Sequence, residues 1–282
     1  MIRKSTLKVA HLAQILTKRL CSSSSSMLNV KIDEKTEIAI LEFNRPPVNS
    51  LSLEFSQEIT RKIDELTKNR ANGFIITSAL DKVFCGGFDI QEMNKPDLNR
   101  AEKAWRALQE VWFKIYSSPL LTAAAINGHS PAGGCMMALA CEHRVMLPNF
   151  RIGLNEVQLG LEVPEWLRAT MRNVLSRRDT ELALTLGTIF STEDALKVGL
   201  IDELANSKEE AIEKCRNFML QFEKIAPEAR SRTKLGLRRA EIQDFLATRE
   251  DDVQMFVRDI QKESFQEGIE LYLKSLKKKR NN

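Results

Sequence analysis

The feature that most constrains this chain is the order of its apolar segments. Buried-strand patterns alternate with amphipathic helical patterns as far as Pro164, and beyond it the patterns are helical. Glu37 to Phe43 (EIAILEF) has strand character, and Asn44 to Asn49 (NRPPVN) holds two prolines and reads as a turn. Leu53 to Leu66 repeats apolar residues at helical intervals, and Gly73 to Thr77 is a short apolar run that suits a buried strand. Ala101 to Tyr116 is an amphipathic helix, Leu121 to Ile126 a second buried strand, Gly133 to Ala140 a helix and His143 to Leu147 a strand. Strands alternating with helices and then helices alone predict an α/β body with a helical C-terminal part. No internal repeat interrupts that order.

In the helical part, Ser191 with Asp194 and Ser207 with Glu210 have capping-box spacing and mark helix starts. From Asp251 to Lys279 apolar residues recur at Val253, Phe256, Val257, Ile260, Phe265, Ile269, Leu273 and Leu276. This predicts a long amphipathic tail with a break expected near Gly268.

Two glycine pairs follow apolar strands. Phe84-Cys85-Gly86-Gly87-Phe88-Asp89 lets backbone N–H groups face a ligand without side-chain obstruction. Pro131-Ala132-Gly133-Gly134-Cys135-Met136 opens a helix, whose first N–H groups lack partners and sit at the positive pole. Together the two stations can aim two donors at one carbonyl oxygen. Taken alone, each pair is more simply a tight turn or a close helix–strand contact. Ile152-Gly153-Leu154-Asn155-Glu156 sets a carboxyl among apolar residues, where desolvation raises its pKa toward that of a proton shuttle. By position alone, Glu156 is more simply a surface acid capping the next helix.

The charges are uneven. The chain has 42 Lys+Arg against 38 Asp+Glu, a formal charge of +4. Residues 1–32 hold no acid, and 1–26 carry Arg3, Lys4, Lys8, Lys18 and Arg19, apolar residues at helical spacing and a serine run from Ser22 to Ser26. That composition predicts a mitochondrial presequence over 1–26 and a matrix destination. Without it, 37 basic residues face 38 acidic ones. The run from Lys274 to Arg280 has no interleaved aromatics, so it reads as a solvated helix end and no nucleic-acid partner is expected. No apolar run is long enough for a membrane span. Cys21, Cys85, Cys135, Cys141 and Cys215 match no zinc spacing and read as reduced thiols. Three histidines exclude a histidine-rich metal site.

The segments PPVNSLSLEF, FCGGFDI, INGHSPAGGC, RIGLNEVQLG, GTIFSTEDALKVGLID and DDVQMFV, in this order, resemble the crotonase (enoyl-CoA hydratase/isomerase) superfamily. The resemblance covers nearly all of the chain from about Asn29. It implies a spiral of ββα turns over 27–225 and a helical C-terminal region over 226–282 that completes the pocket and makes a homotrimer. By position it places the N–H groups of Gly86 and Gly133 in an oxyanion hole for a thioester carbonyl. Cys85, Gly86, Gly87, Phe88 and Asp89 would line the acyl-CoA site, Asn155 would contact substrate or orient the carboxylate, and Glu156 would be the catalytic acid/base. The expected partner is an acyl-CoA, with no metal and no cofactor beyond the CoA of the substrate.

Within the family, hydratases carry a second glutamate just after the PAGGC-type turn, where this chain has Met136. A thioether cannot activate water, which favours isomerisation of cis- or trans-3-enoyl-CoA to trans-2-enoyl-CoA. Glu162 and Glu165 are nearby acids that leave hydratase or dienoyl-isomerase chemistry as an alternative. A noncatalytic interaction or RNA-binding role is a third. Ser130 lacks the setting of a nucleophile elbow. His143 reads as structural, and Trp105, Trp112 and Trp166 read as core residues of which some line an acyl tunnel.

Overall fold

The computed structural model describes residues 26–281, and side chains as far as Ser275. The expected presequence, apart from Ser26, and the side chains from Leu276 onward lie outside the described residues.

Six strands form the main sheet. They are β1 (Leu28–Ile32), β2 (Ile38–Phe43), β3 (Gly73–Ser78), β4 (Leu121–Ile126), β6 (His143–Met146) and β9 (Glu203–Leu204), in the order β1-β2-β3-β4-β6-β9. Only the β1/β2 pair is antiparallel. Every residue of β3 and β4 is buried, as the apolar runs GFIITS and LTAAAI require of central parallel strands covered on both faces. A second, three-stranded sheet joins β5 (Ser130–Pro131), β7 (Arg151–Gly153) and β8 (Phe190–Ser191) in the order β5-β7-β8.

Ten helices are found among the described residues besides two short 3-10 turns. α1 (Leu53–Lys68) starts at Ser52, whose side chain accepts from the Phe55 N–H, and it buries Phe55, Ile59, Ile63 and Leu66 on one face. Each such side chain contributes about 1.5–3 kcal/mol of hydrophobic stabilisation. α2 (Leu98–Tyr116) starts three residues before its apolar pattern because the Asp97 side chain accepts from the Arg100 N–H. α3 (Gly133–Ala140) is entirely buried. α4 (Glu165–Arg172), α5 (Arg177–Leu186), α6 (Thr192–Lys197) and α7 (Lys208–Leu220) follow. Both capping serines act as expected: Ser191 accepts from the Asp194 N–H and Ser207 from the Glu210 N–H.

α8 (Pro227–Leu237), α9 (Arg239–Ile260) and α10 (Glu263–Asn281) form the helical C-terminal part. The break expected near Gly268 falls instead at 261–262, and α10 runs through Gly268. At that break the Gln266 side-chain amide donates to the Ile260 carbonyl at 2.5 Å and satisfies one of the last carbonyls of α9. A glycine inside a helix costs only about 1 kcal/mol, which is no obligatory stop. α9 packs along α2, with Phe245 against Trp112 (ring centroids 4.9 Å apart) and Phe256 stacked on Trp105 at 4.0 Å.

Candidate active site

The first glycine loop is held by the proline turn that precedes α1. Asn49 is fully buried, and its side chain accepts from the Arg45 N–H at 2.7 Å and donates to Ser78 Oγ at 2.8 Å and the Phe84 carbonyl at 3.0 Å. The loop then runs beside 48–51: Gly86 N–H donates to Val48 O (2.8 Å), Leu51 N–H to Gly87 O (2.8 Å) and Asp89 N–H to Leu51 O (3.1 Å). Leu51 and Phe88 form an isolated parallel bridge, so the backbone groups of Phe88 point away from 48–51.

This ladder corrects one expectation. The Gly86 N–H is spent on Val48 and is not free for a ligand oxygen. The N–H without an acceptor among the described residues is that of Phe88, two residues on. Gly87 is where the chain needs glycine, with φ at +90° and its Cα against the second station.

The second station starts at Ala132, which has φ +48° and ψ −119°, a region that costs a residue with a Cβ about 1–3 kcal/mol. The Ala132 N–H donates to Gly153 O at 2.8 Å, and β5 pairs in parallel with β7 through Ser130–Ile152 and Pro131–Gly153. α3 has no side-chain cap, and the Gly133 N–H has no acceptor among the described residues. The same pairing fixes the catalytic candidate: β7 ends at Gly153, Asn155 precedes a 3-10 turn, and Glu156 is its first residue.

Glu156 Oε2 is enclosed and meets no hydrogen-bond partner among the described residues, although the residue as a whole is partly exposed to the cavity it lines. Burial pushes its carboxyl up from 4.5 to about 7. A carboxyl in that range exchanges protons readily at neutral pH.

The site opens into a cavity of about 1110 Å³. Of the expected residues, Gly86, Phe88, Asp89, Gly133, Asn155 and Glu156 line it, while Cys85 and Gly87 do not. The Cys85 thiol is buried, donates to Asn49 O at 3.1 Å and is pushed up to about 12 by that burial, so it braces the loop as a neutral thiol. Asp89 accepts from the Gln91 N–H at 3.1 Å and pairs with Arg45 at 2.9 Å. Trp105, Leu108, Met136, Leu161, Leu167 and Phe256 make much of the wall apolar. Trp105 lines the cavity, whereas Trp112 and Trp166 belong to the core behind it. His143 is structural, stacked on Phe218 at 4.4 Å and bonded to Glu203 at 3.1 Å.

The nearby acids are committed elsewhere. Glu162 is bound by Arg168 at 2.6 Å, and Glu165 is held by Arg168 and Arg172 at 2.8 and 2.6 Å. Although partial burial opposes it, the two guanidinium groups keep the Glu165 carboxyl below its usual range. Met136 is 1% exposed, and its wall position carries no group able to hold water.

Comparison with known proteins identifies the family. The enoyl-CoA hydratase/isomerase family model matches residues 33–281. The mitochondrial enoyl-CoA delta isomerase 1 of Rattus norvegicus is 38% identical over 260 residues, covering 91% of this chain and 90% of that protein. Its Homo sapiens counterpart is 38% identical over 259 residues, covering 91% and 85%. The crystal structure of human mitochondrial delta3-delta2-enoyl-CoA isomerase superimposes with a TM-score of 0.87 at 37% identity, covering 90% of this chain and 99% of that one. An enoyl-CoA hydratase from Bacillus halodurans shares the fold, with a TM-score of 0.77 at 22% identity over 87% of this chain and all of that one. With these matches, the chain belongs to the enoyl-CoA hydratase/isomerase family.

Proposed function

We propose that this protein is a Δ3,Δ2-enoyl-CoA isomerase that converts cis- or trans-3-enoyl-CoA to trans-2-enoyl-CoA in the β-oxidation of unsaturated fatty acids. The observation that carries the reading is the Glu156 carboxyl, raised by burial to about 7, with Oε2 enclosed and without a hydrogen-bond partner among the described residues, in a cavity where the second acid position is Met136. The N–H groups of Gly133 and Phe88 are the donors for the thioester oxygen, with Phe88 replacing Gly86. Loss of a C2 proton from a 3-enoyl thioester gives an enolate delocalised onto that oxygen, and two fixed donors stabilise the charge as it develops. Glu156 takes the proton from C2 and returns one at C4, and a single carboxyl spans both because C2 and C4 lie on one allylic arc. Phe88, Asp89 and Asn155 line the acyl-CoA site, with Cys85 and Gly87 shaping its loop.

The chemistry as written uses no metal and no cofactor beyond the substrate's CoA. Residues 1–26 are the proposed presequence for the mitochondrial matrix, 27–225 the spiral core and 226–282 the helical region. A homotrimer is supported by apolar side chains left outward on the C-terminal helices, with Leu237 81% and Leu246 50% exposed. Among the described residues no helix is long and apolar enough to cross a membrane.

Purified residues 27–282 given 3-enoyl-CoA and 2-enoyl-CoA thioesters of graded length test the reaction. The proposal expects isomerisation of the first to exceed hydration of the second at every length. Faster hydration would favour the hydratase alternative, and RNA binding without turnover would favour the noncatalytic one.

A further inference from the structure

The oxyanion donor Phe88 is held from the side by an aromatic cluster. Its ring meets Trp105 edge-on at 5.5 Å and 89°, and Phe256 edge-on at 5.8 Å and 84°. Trp105 and Phe256 are themselves stacked at 4.0 Å with 6° between planes. Trp105 stands on α2 and Phe256 on α9, so the Phe88 ring sits on a surface made by two helices distant in sequence.

One oxygen fixes that surface. Asp252, one turn before Phe256 and only 8% exposed, accepts at Oδ2 from Trp105 Nε1 (2.9 Å), Trp166 Nε1 (3.2 Å) and Gln109 Nε2 (2.6 Å). These donors come from α2 and α4, and Gln109 Nε2 also reaches the Arg249 carbonyl on α9 at 3.0 Å. N–H bonds to a carboxylate are the strong kind, and a buried carboxylate with three donors is a rigid node. Asp252 lines the cavity but neither donates to the thioester oxygen in this account nor moves a proton.

We propose that Asp252 is a positioning residue for the oxyanion hole: it locks the Trp105–Phe256 stack on which the Phe88 ring rests, and thereby aims the Phe88 N–H at the thioester oxygen. The proposal rests on the isomerase reading above. It makes α9 part of the catalytic machinery as well as a wall of the pocket. Without Asp252, two indole N–H groups lose a buried acceptor, and the stack turns to find new partners. Phe88 moves with it.

The test compares D252A, D252N and W105F with the unaltered protein. The readouts are kcat, KM, affinity for a 2,4-dienoyl-CoA, and the red shift of that bound chromophore, which reports polarisation of the thioester carbonyl. In D252A, affinity is expected to stay within a few-fold while kcat falls roughly 10- to 100-fold, the scale of a displaced donor, and most of the red shift is lost. D252N keeps an acceptor oxygen on the same frame and is expected to recover kcat to within about 5-fold and part of the shift. D252A with unaltered kcat and red shift would overturn the proposal. So would a loss confined to KM, with the shift intact, because that is altered pocket shape alone. If D252A does not fold, W105F decides: it should lose red shift together with kcat while D252N stays within about 5-fold, and full kcat and red shift in W105F contradict the proposal. Absence of both turnover and red shift in the unaltered protein would instead refute the reading of the site, and this proposal with it.

Discussion

Gly87 and Gly133 touch backbone to backbone: a Cβ on Gly87 would lie 3.3 Å from the Gly133 nitrogen, and a Cβ on Gly133 would lie 3.3 Å from the Gly87 Cα. The two loops that carry the proposed donor N–H groups are therefore one packed unit. Gly87→Ala would also press its Cβ to 2.9 Å from that of Ala132 at a φ of +90°. The expected outcome is a loss of about 1–3 kcal/mol in unfolding free energy, with kcat falling roughly 100-fold or more because a donor shifts by a large part of an ångström. Denaturant titration and steady-state kinetics check the two numbers.

Met136 puts a thioether in the cavity wall where the hydratase pattern has a glutamate. Met136→Glu places a carboxyl of similar length in the wall with Glu156. Hydration of 2-enoyl-CoA should rise at least about 10-fold, within the range of general acid–base assistance. Two carboxyls in one cavity also hinder each other's ionisation, so the pH at which the activity develops should move upward. A Met136→Glu variant with unchanged hydration and a full isomerase rate would show that this position does not discriminate the two reactions.

The Glu156 carboxyl at about 7 fixes two pH dependences. As a base it must be ionised in the free enzyme, so kcat/KM should rise with pH and level off above about 7. For stability the sign is opposite to that of a paired acid. The folded carboxyl holds its proton more tightly than the unfolded one, whose value is 4.5, so stability falls as pH rises from about 4.5 to 7 and is flat beyond. Glu156→Gln removes this penalty. Its stability advantage over the unaltered protein should be near zero at pH 4 and reach about 2 kcal/mol at pH 8, allowing for partial contact with cavity water.

The C-terminal helices are tied to the sheet by a buried ionic cluster. Lys234 on α8 is 8% exposed, donates to the Leu120 carbonyl at 2.7 Å and pairs with Glu142 at 2.8 Å, which also pairs with Arg230 at 3.0 Å. Burial lowers the Lys234 ammonium to about 8 against the pull of Glu142. Glu142→Ala strands a buried cation and should cost about 3 kcal/mol. Thermal denaturation checks it, and because α8 leads into α9, activity should be lost at a lower temperature as well.

The core strands and long helices are legible in the sequence because each carries its own signal: an apolar run such as GFIITS, or the spacing of Phe55, Ile59 and Ile63. β1 is not, since LNVKI mixes Asn29 and Lys31 with its apolar residues and adjoins the segment that reads as leader, so it carries no strand signal of its own. β5, β7 and β8 are two or three residues long, too short for any periodicity, yet the β5/β7 pairing is what brings Gly133 and Glu156 to one cavity. The second glycine pair points to Gly133, whose N–H lacks an acceptor among the described residues, whereas in the first pair the N–H of Gly86 is taken by Val48. The bond from Gly86 to Val48 and the parallel bridge of Phe88 to Leu51, both non-local, are what leave the Phe88 N–H without an acceptor among the described residues. Asp252 left one faint trace, an acid beside Val253 and one turn from Phe256 on the apolar face of a helix.

The proposed role of Glu156 in moving the proton is measured by the rate of 3-enoyl-CoA isomerisation in Glu156→Gln, read beside the affinity of the same variant for a saturated acyl-CoA. The expected result is binding within a few-fold of the unaltered protein and a kcat lowered by a factor on the order of 1000 or more, since among the described residues the other carboxyls lining the cavity are held by cations or N–H donors. A folded Glu156→Gln variant that binds acyl-CoA and isomerises 3-enoyl-CoA within tenfold of the unaltered rate would contradict it.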